Sequence, residues 1–137
     1  MDEKFFEICI KEAKISYQHG DVPIGAVIVK NKKIIAKAHN TREKKHDITG
    51  HAEINVIKKA AKKLGRWNLS DCLLYVTLAP CSMCKEVIKQ SRIRKTFFIL
   101  DKPGYKKEFS NSEFLKSNYQ NEQMYAAILS AFFKEKR

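Results

Sequence analysis

His51 and Glu53 stand two places apart in GHAEINVIKKA, residues 50 to 60, and Cys81 and Cys84 bracket two residues in LAPCSMCKE, residues 78 to 86. One imidazole and two thiolates are three ligands of the kind zinc takes, and three leave one tetrahedral position open to water, the mark of a catalytic rather than a closed site. A carboxylate near the ion but outside its ligand set can take a proton from water and return it to a leaving group, and Glu53 has that type and place. If His51 begins a regular helix, Glu53 points about 200° away around the axis, so the two side chains play different parts. Cys81 and Cys84, three positions apart, share one helical face.

Taken singly, these parts are ambiguous. A Cys-x-x-Cys pair also serves in redox chemistry or as half of a closed zinc site, and a histidine at a helix start is commonly capped or solvated. All four cysteines together could also close around one structural ion. Against that, Cys9 falls on the apolar face of a predicted helix, and Cys72 precedes a predicted strand with no partner at ligand spacing, so both read as buried small hydrophobes.

The elements that must position these residues follow from periodicity. Residues 2 to 19 read as a helix, with Phe5, Cys9 and Ala13, then Phe6, Ile10 and Tyr17, on one face, acids in the first turn and Gly20 as the stop. IGAVIVKNKKIIAKAH places two β-branched runs around Asn31 and Lys32, which predicts a hairpin. Residues 39 to 50 are polar and irregular. Ala52, Val56, Ala60 and Leu64 recur every four residues up to Gly65, predicting an amphipathic helix from about His51. LLYVTL, 73 to 78, reads as a strand, and Pro80 suits the first turn of a helix running to about Gln90. KTFFIL, 95 to 100, is a further strand. Residues 122 to 136 close the chain as a helix with Met124, Ile128, Leu129 and Phe132 on its apolar face. Strands alternating with helices predict a three-layer α/β domain.

At 137 residues the chain is expected to form one domain, residues 1 to 137, able to bury a core without disulfides. Its composition, 44% apolar and 31% charged, is globular and free of low-complexity tracts. MDEKFFEICIKEAK lacks the features of a secretory signal, and no apolar run approaches the roughly 20 residues of a membrane span. The expectation is a cytoplasmic protein with reduced thiols and no membrane partner. The net charge of +12 is concentrated: residues 22 to 46 carry +6, and residues 58 to 66 and 85 to 108 carry +5 each. Such blocks attract polyanions. Yet 22 of the 27 basic residues are Lys, whereas bidentate phosphate recognition favours Arg, so a generic lysine-rich surface explains the charge equally well.

The combination of His51-Ala-Glu53 with Pro80-Cys81-Ser-Met-Cys84 matches the signature of the zinc nucleobase deaminases. Within that superfamily the chain resembles the bacterial tRNA-specific adenosine deaminases. DVPIGAVIV, AHNTRE, HAEINVI, AAKKLGRWNLSDCLLYVTLAPCSMC, SRIRK and the closing ILSAFFKEKR follow that family in order and spacing. The resemblance implies a cytidine deaminase-like α/β/α sandwich around a mixed sheet of about five strands. It implies Zn2+ held by His51, Cys81 and Cys84, with Glu53 as proton shuttle in hydrolytic deamination of a wobble adenosine, that of an arginine tRNA. It places Asn40 against the flipped purine, although closing a loop explains Asn40 equally well. Val22, Pro23 and Ile24 would wall the base pocket, or serve simply as core residues of the hairpin. A homodimer with tRNA contacting both subunits is implied as well. The rival activities are deamination of a free base or nucleoside of guanine or cytosine type on the same fold, and noncatalytic RNA binding around a structural zinc. Three departures stand out: Ala79 where the family usually has Glu, DKPGYKKEFSNSEF, 101 to 114, in place of a glycine-rich and serine-containing loop, and a segment between that loop and the last helix shorter than is usual in the family.

Overall fold

The computed structural model describes residues 3 to 101 and 112 to 135. Residues 102 to 111, with Lys106 and Lys107, and the terminal Lys136 and Arg137 lie outside the described residues. Helix α1 (Glu3–Gln18) leads into a hairpin of β1 (Gly25–Lys30) and β2 (Lys33–His39). A single helical turn, α2 (Arg42–Lys45), precedes α3 (Ala52–Leu64). Then come β3 (Leu73–Leu78), α4 (Ser82–Gln90), β4 (Lys95–Leu100), β5 (Glu113–Lys116) and α5 (Glu122–Glu135). The strands form one mixed sheet in the order β2-β1-β3-β4-β5, with β1 antiparallel to β2 and β3, and β3, β4 and β5 parallel.

The two faces of this sheet explain why β1 and β3 read as continuous apolar runs: each is covered on both sides. Ala26, Ile28, Leu74, Val76 and Phe98 pack with Val56, Ala60 and Ile88 of α3 and α4. Val27, Val29, Tyr75 and Ile99, on the other face, pack with Phe5, Phe6 and Ile10 of α1 and Tyr125 of α5. The predicted α/β/α sandwich is therefore the observed one.

The hairpin turns on Asn31 and Lys32, both left-handed (φ 51° and 63°), the arrangement that matches the twist of paired strands. At Gly25, where β1 meets α1, an added β-carbon would lie 1.9 Å from the Cys9 carbonyl oxygen and 2.8 Å from the Ala13 nitrogen, so only glycine permits the approach.

Three expectations need correction. Pro80 lies outside α4: Cys81, extended at φ −73°, ψ 173°, is the N-cap and Ser82 the first helical residue. Val22 to Ile24 precede the hairpin instead of belonging to it. Met124 is 43% exposed, and Tyr125 takes its place in the core, because α5 meets the sheet one residue further round than the leucine-isoleucine pattern indicates. β5 supplies the fifth strand that the resemblance implies; periodicity does not locate it, since four residues of EFLK carry too little alternation to register.

Candidate active site

His51 and Cys81 occupy the same structural position on different helices. Each is an N-cap with extended backbone, His51 for α3 (φ −76°, ψ 147°) and Cys81 for α4, and neither side chain caps its own helix. Their carbonyls accept the first helical bonds, from Asn55 N and Lys85 N, both at 2.9 Å. The imidazole and the thiol are thereby left to face one another between two helix N-termini, whose positive ends favour thiolates. The 200° separation of His51 from Glu53 holds only for two residues inside a helix, so it does not apply here. Cys84 sits one turn into α4, fully buried.

The three donors converge. His51 Nδ1 lies 3.6 Å from Cys81 Sγ and 3.3 Å from Cys84 Sγ, and the ligand atoms of all three residues fall within 4.8 Å of one another. With Zn–S near 2.3 Å and Zn–N near 2.0–2.1 Å, a tetrahedral ion requires an N···S edge of about 3.6 Å. The observed edges fit zinc, and the donor set is of the type zinc prefers. Among the described residues no other group of three or more such side chains converges in this way. Cys9 and Cys72 are buried elsewhere, at 0% and 2% exposure. Burial raises the Cys9 thiol well above its ordinary range, and burial followed by the Asp71 carboxylate raises Cys72 to about 11, so both stay protonated, as inert small hydrophobes should.

Glu53 is 3% exposed, one residue into α3 from the trio. Ala79, at the end of β3, is fully buried and donates its N–H to the Leu100 carbonyl at 2.8 Å. Its methyl packs in the α3/α4 core cluster.

Asn40 closes a loop, as its alternative reading holds. Its Nδ2 donates to the Val22 carbonyl at 3.2 Å, and its Oδ1 accepts from Arg42 N at 3.1 Å. An amide has two N–H groups and two acceptor lone pairs, so one of each remains to meet a ligand. Val22, Pro23 and Ile24 form a pinned segment. Ile24 N donates to Val22 O at 2.9 Å, Asn40 N to Ile24 O at 3.1 Å, and the buried Tyr125 hydroxyl to Pro23 O at 2.8 Å. A cleft of about 560 Å³ adjoins this segment, lined by Asp21, Val22 and Asn40 on one side and Phe132 and Phe133 of α5 on another.

Sequence reasoning missed three residues that hold this geometry. Asp21 is buried, and its carboxylate accepts from Glu43 N at 2.6 Å and Lys44 N at 3.2 Å, capping α2 from a distant segment. Asn55, one turn after His51, donates from Nδ2 to His39 O at 2.9 Å and Thr41 Oγ1 at 3.0 Å, with Gly50 O at 3.4 Å. It ties both flanks of Asn40 to the residue that precedes His51. Tyr125 anchors α5 to the pinned segment, and burial holds its phenol well above the ordinary range. The only sequence signal for any of them was Asn55, a polar residue four places after a candidate ligand.

A family model described as MafB19-like deaminase matches residues 1–137. The chain belongs to that deaminase family. Within it, the chain is 41% identical to the tRNA-specific adenosine deaminase of Bacillus subtilis, over 99% of this chain and 91% of that protein. It is 40% identical to that of Aquifex aeolicus, over 98% and 95%. Among solved structures, it resembles one from a study of A-to-I editing by tRNA:A34 deaminases, at TM-score 0.77 and 32% identity, covering 83% of this chain and 97% of that one. It also resembles the guanine deaminase of Bacillus subtilis, at TM-score 0.70 and 38% identity, covering 74% and 66%. No helix among the described residues is long and apolar enough to cross a membrane.

Proposed function

We propose that residues 1 to 137 form one zinc-dependent catalytic unit that hydrolytically deaminates the wobble adenosine of a tRNA anticodon, that of an arginine tRNA, to inosine. The observation that carries this reading is the His51–Cys81–Cys84 convergence beside buried Glu53, in a chain alignable over 99% of its length with a tRNA-specific adenosine deaminase.

His51 Nδ1, Cys81 Sγ and Cys84 Sγ are the atoms that would hold the ion. Zinc, when bound, supplies Lewis-acid activation of water at neutral pH. Glu53 takes one proton from the attacking water as its oxygen adds to C6 of the purine. The same carboxyl delivers that proton to the exocyclic nitrogen, the C6–N bond breaks, and ammonia leaves. The free N–H and lone pair of Asn40 meet the purine edge, while Val22, Pro23 and Ile24 wall the base. Nucleotides next to the target occupy the cleft between Asn40 and Phe132–Phe133. An unpaired loop nucleotide enters such a pocket at little unstacking cost. The protein acts in the cytoplasm, as a homodimer.

Deamination of a free base is the second reading, favoured by the likeness to guanine deaminase. Purified protein incubated with an arginine tRNA anticodon stem-loop and, separately, with free adenosine, cytidine, cytosine and guanine separates the two, with ammonia and inosine as readouts. Inosine in the stem-loop with inert free compounds is the expected result. Faster turnover of guanine or cytosine than of the stem-loop replaces this reading with the second.

A further inference from the structure

The end of the sheet remote from the metal donors carries a surface that the reaction does not use. Residues 65 to 72 connect α3 to β3, and residues 91 to 94 connect α4 to β4. The two loops are tied by a bond from Leu69 N to Ser91 O at 2.8 Å. β3 runs from Leu73 at this end to Leu78 beside the Cys81 turn, and five steps at about 3.3 Å place the ends roughly 17 Å apart.

Trp67, the chain's single tryptophan, is 63% exposed on the first loop. The Arg92 guanidinium sits over its ring, 5.9 Å from the centroid. Arg92 is left-handed, with φ 70°, just beyond the C-cap Ser91 of α4. That position ordinarily takes glycine, because a β-carbon is strained there. Strained outliers that persist concentrate where function needs the side chain. Lys62 and Lys63 in the last turn of α3, Arg94 on the second loop and Lys95 at the start of β4 are all exposed. Asp71 on the same loop is occupied by Arg66, at 2.9 and 3.0 Å, and Glu113 is the acid on the neighbouring strand.

We propose that Trp67 and Arg92 form a stacking platform for an unpaired base of the RNA substrate, away from the deaminated nucleotide, with the flanking phosphates taken by Lys62, Lys63, Arg94 and Lys95. The inference rests on the tRNA reading above. Aromatic and guanidinium planes are the groups on which proteins stack splayed RNA bases, and the surrounding charge suits a polyanion. A second copy of this chain would bring the same cations against themselves.

Trp67 is its own probe. With a full-length arginine tRNA transcript carrying guanosine at the target position, so that no reaction occurs, binding is expected to quench tryptophan fluorescence. Trp67→Ala weakens that binding by about 5-fold to 150-fold, the range for one stacked base, while Trp67→Phe retains most of it. Arg92→Gly relieves the positive φ, so its melting temperature stays at or above wild type while binding weakens and its salt dependence flattens. Turnover of the isolated stem-loop is unchanged in all three.

Unquenched fluorescence, or Trp67→Ala and Arg92→Gly binding as wild type, overturns the platform. A melting temperature that falls with Arg92→Gly while binding holds makes the pair structural. Loss of self-association in Trp67→Ala by sedimentation, with quenching that follows protein rather than RNA concentration, makes the face an interface between copies. If wild type quenches on tRNA but fails to deaminate the stem-loop, the platform stands and the proposed reaction falls.

Discussion

Replacing Asn55 by Ala tests whether the metal ligand and the base pocket are positioned by one side chain. The amide makes two bonds of good length, 2.9 Å to His39 O and 3.0 Å to Thr41 Oγ1, and a long one of 3.4 Å to Gly50 O. Each of the good bonds is worth about 1 kcal/mol net, and leaving a half-enclosed acceptor without its donor adds up to about 1 kcal/mol more, so the loss is about 2–3 kcal/mol. For a chain of this size each kcal/mol lowers the melting temperature by about 3–5 °C, giving a fall of about 6–15 °C. The strand that enters Asn40 and the residue before His51 are also freed to move, and an ångström of misplacement costs up to about a hundredfold in rate. Thermal melts, zinc retention against a chelator, and kcat and KM on the stem-loop read the three effects. Asn55→Asp, which lacks the N–H donors, should resemble Asn55→Ala, whereas Lys58→Ala on the exposed face of α3 should melt within about 2 °C of wild type. Asn55→Ala melting within 2 °C of wild type, with zinc retention and KM unchanged, refutes the reasoning.

Glu53→Ala should keep zinc and fold while losing at least about 10²–10⁴-fold in turnover, as metal analysis beside single-turnover assays will show; near-normal activity would assign the proton transfer to another group. Gly25→Ala drives the new methyl into the Cys9 carbonyl oxygen, so α1 has to shift and stability should fall by about 3 kcal/mol or more, read as soluble yield and melting temperature; a melt like wild type would mean α1 is not held at that spacing. Cys72, raised to about 11 by burial and then by Asp71, ionises in the unfolded chain near its ordinary value of about 8.5. Its contribution to stability is therefore complete below about pH 8.5 and is lost as pH rises toward 11, a slope that Cys72→Ala should remove from denaturant titrations. With zinc chelated at pH 8, iodoacetamide should modify Cys81 faster than Cys9 or Cys72, and mass spectrometry that finds Cys9 modified first would reverse the assignment of which thiols are buried.

Residue type and spacing alone made the chemistry legible. An imidazole, two thiols and a carboxylate in HAE and PCSMC, ambiguous singly, together match the zinc deaminase signature, which makes a metal and a proton carrier the expectation. A period of about four marked α1 and α3, short apolar runs rich in β-branched and aromatic residues marked the hairpin, β3 and β4, and Pro80 marked the start of the α4 region. What tertiary structure decided was where local signals are silent or point elsewhere. That His51 and Cys81 are matched N-caps, and not residues within helices, depends on two backbones bending as they enter helices 30 residues apart. Asp21 caps a helix 22 residues away and Asn55 reaches back to His39, bonds that exist only once α1, β2 and α3 are packed. β5 is held as a strand by its pairing with β4, and Tyr125 displaces Met124 from the core because the angle at which α5 meets the sheet is set by its contacts with α1 and β4, which no pattern within α5 encodes.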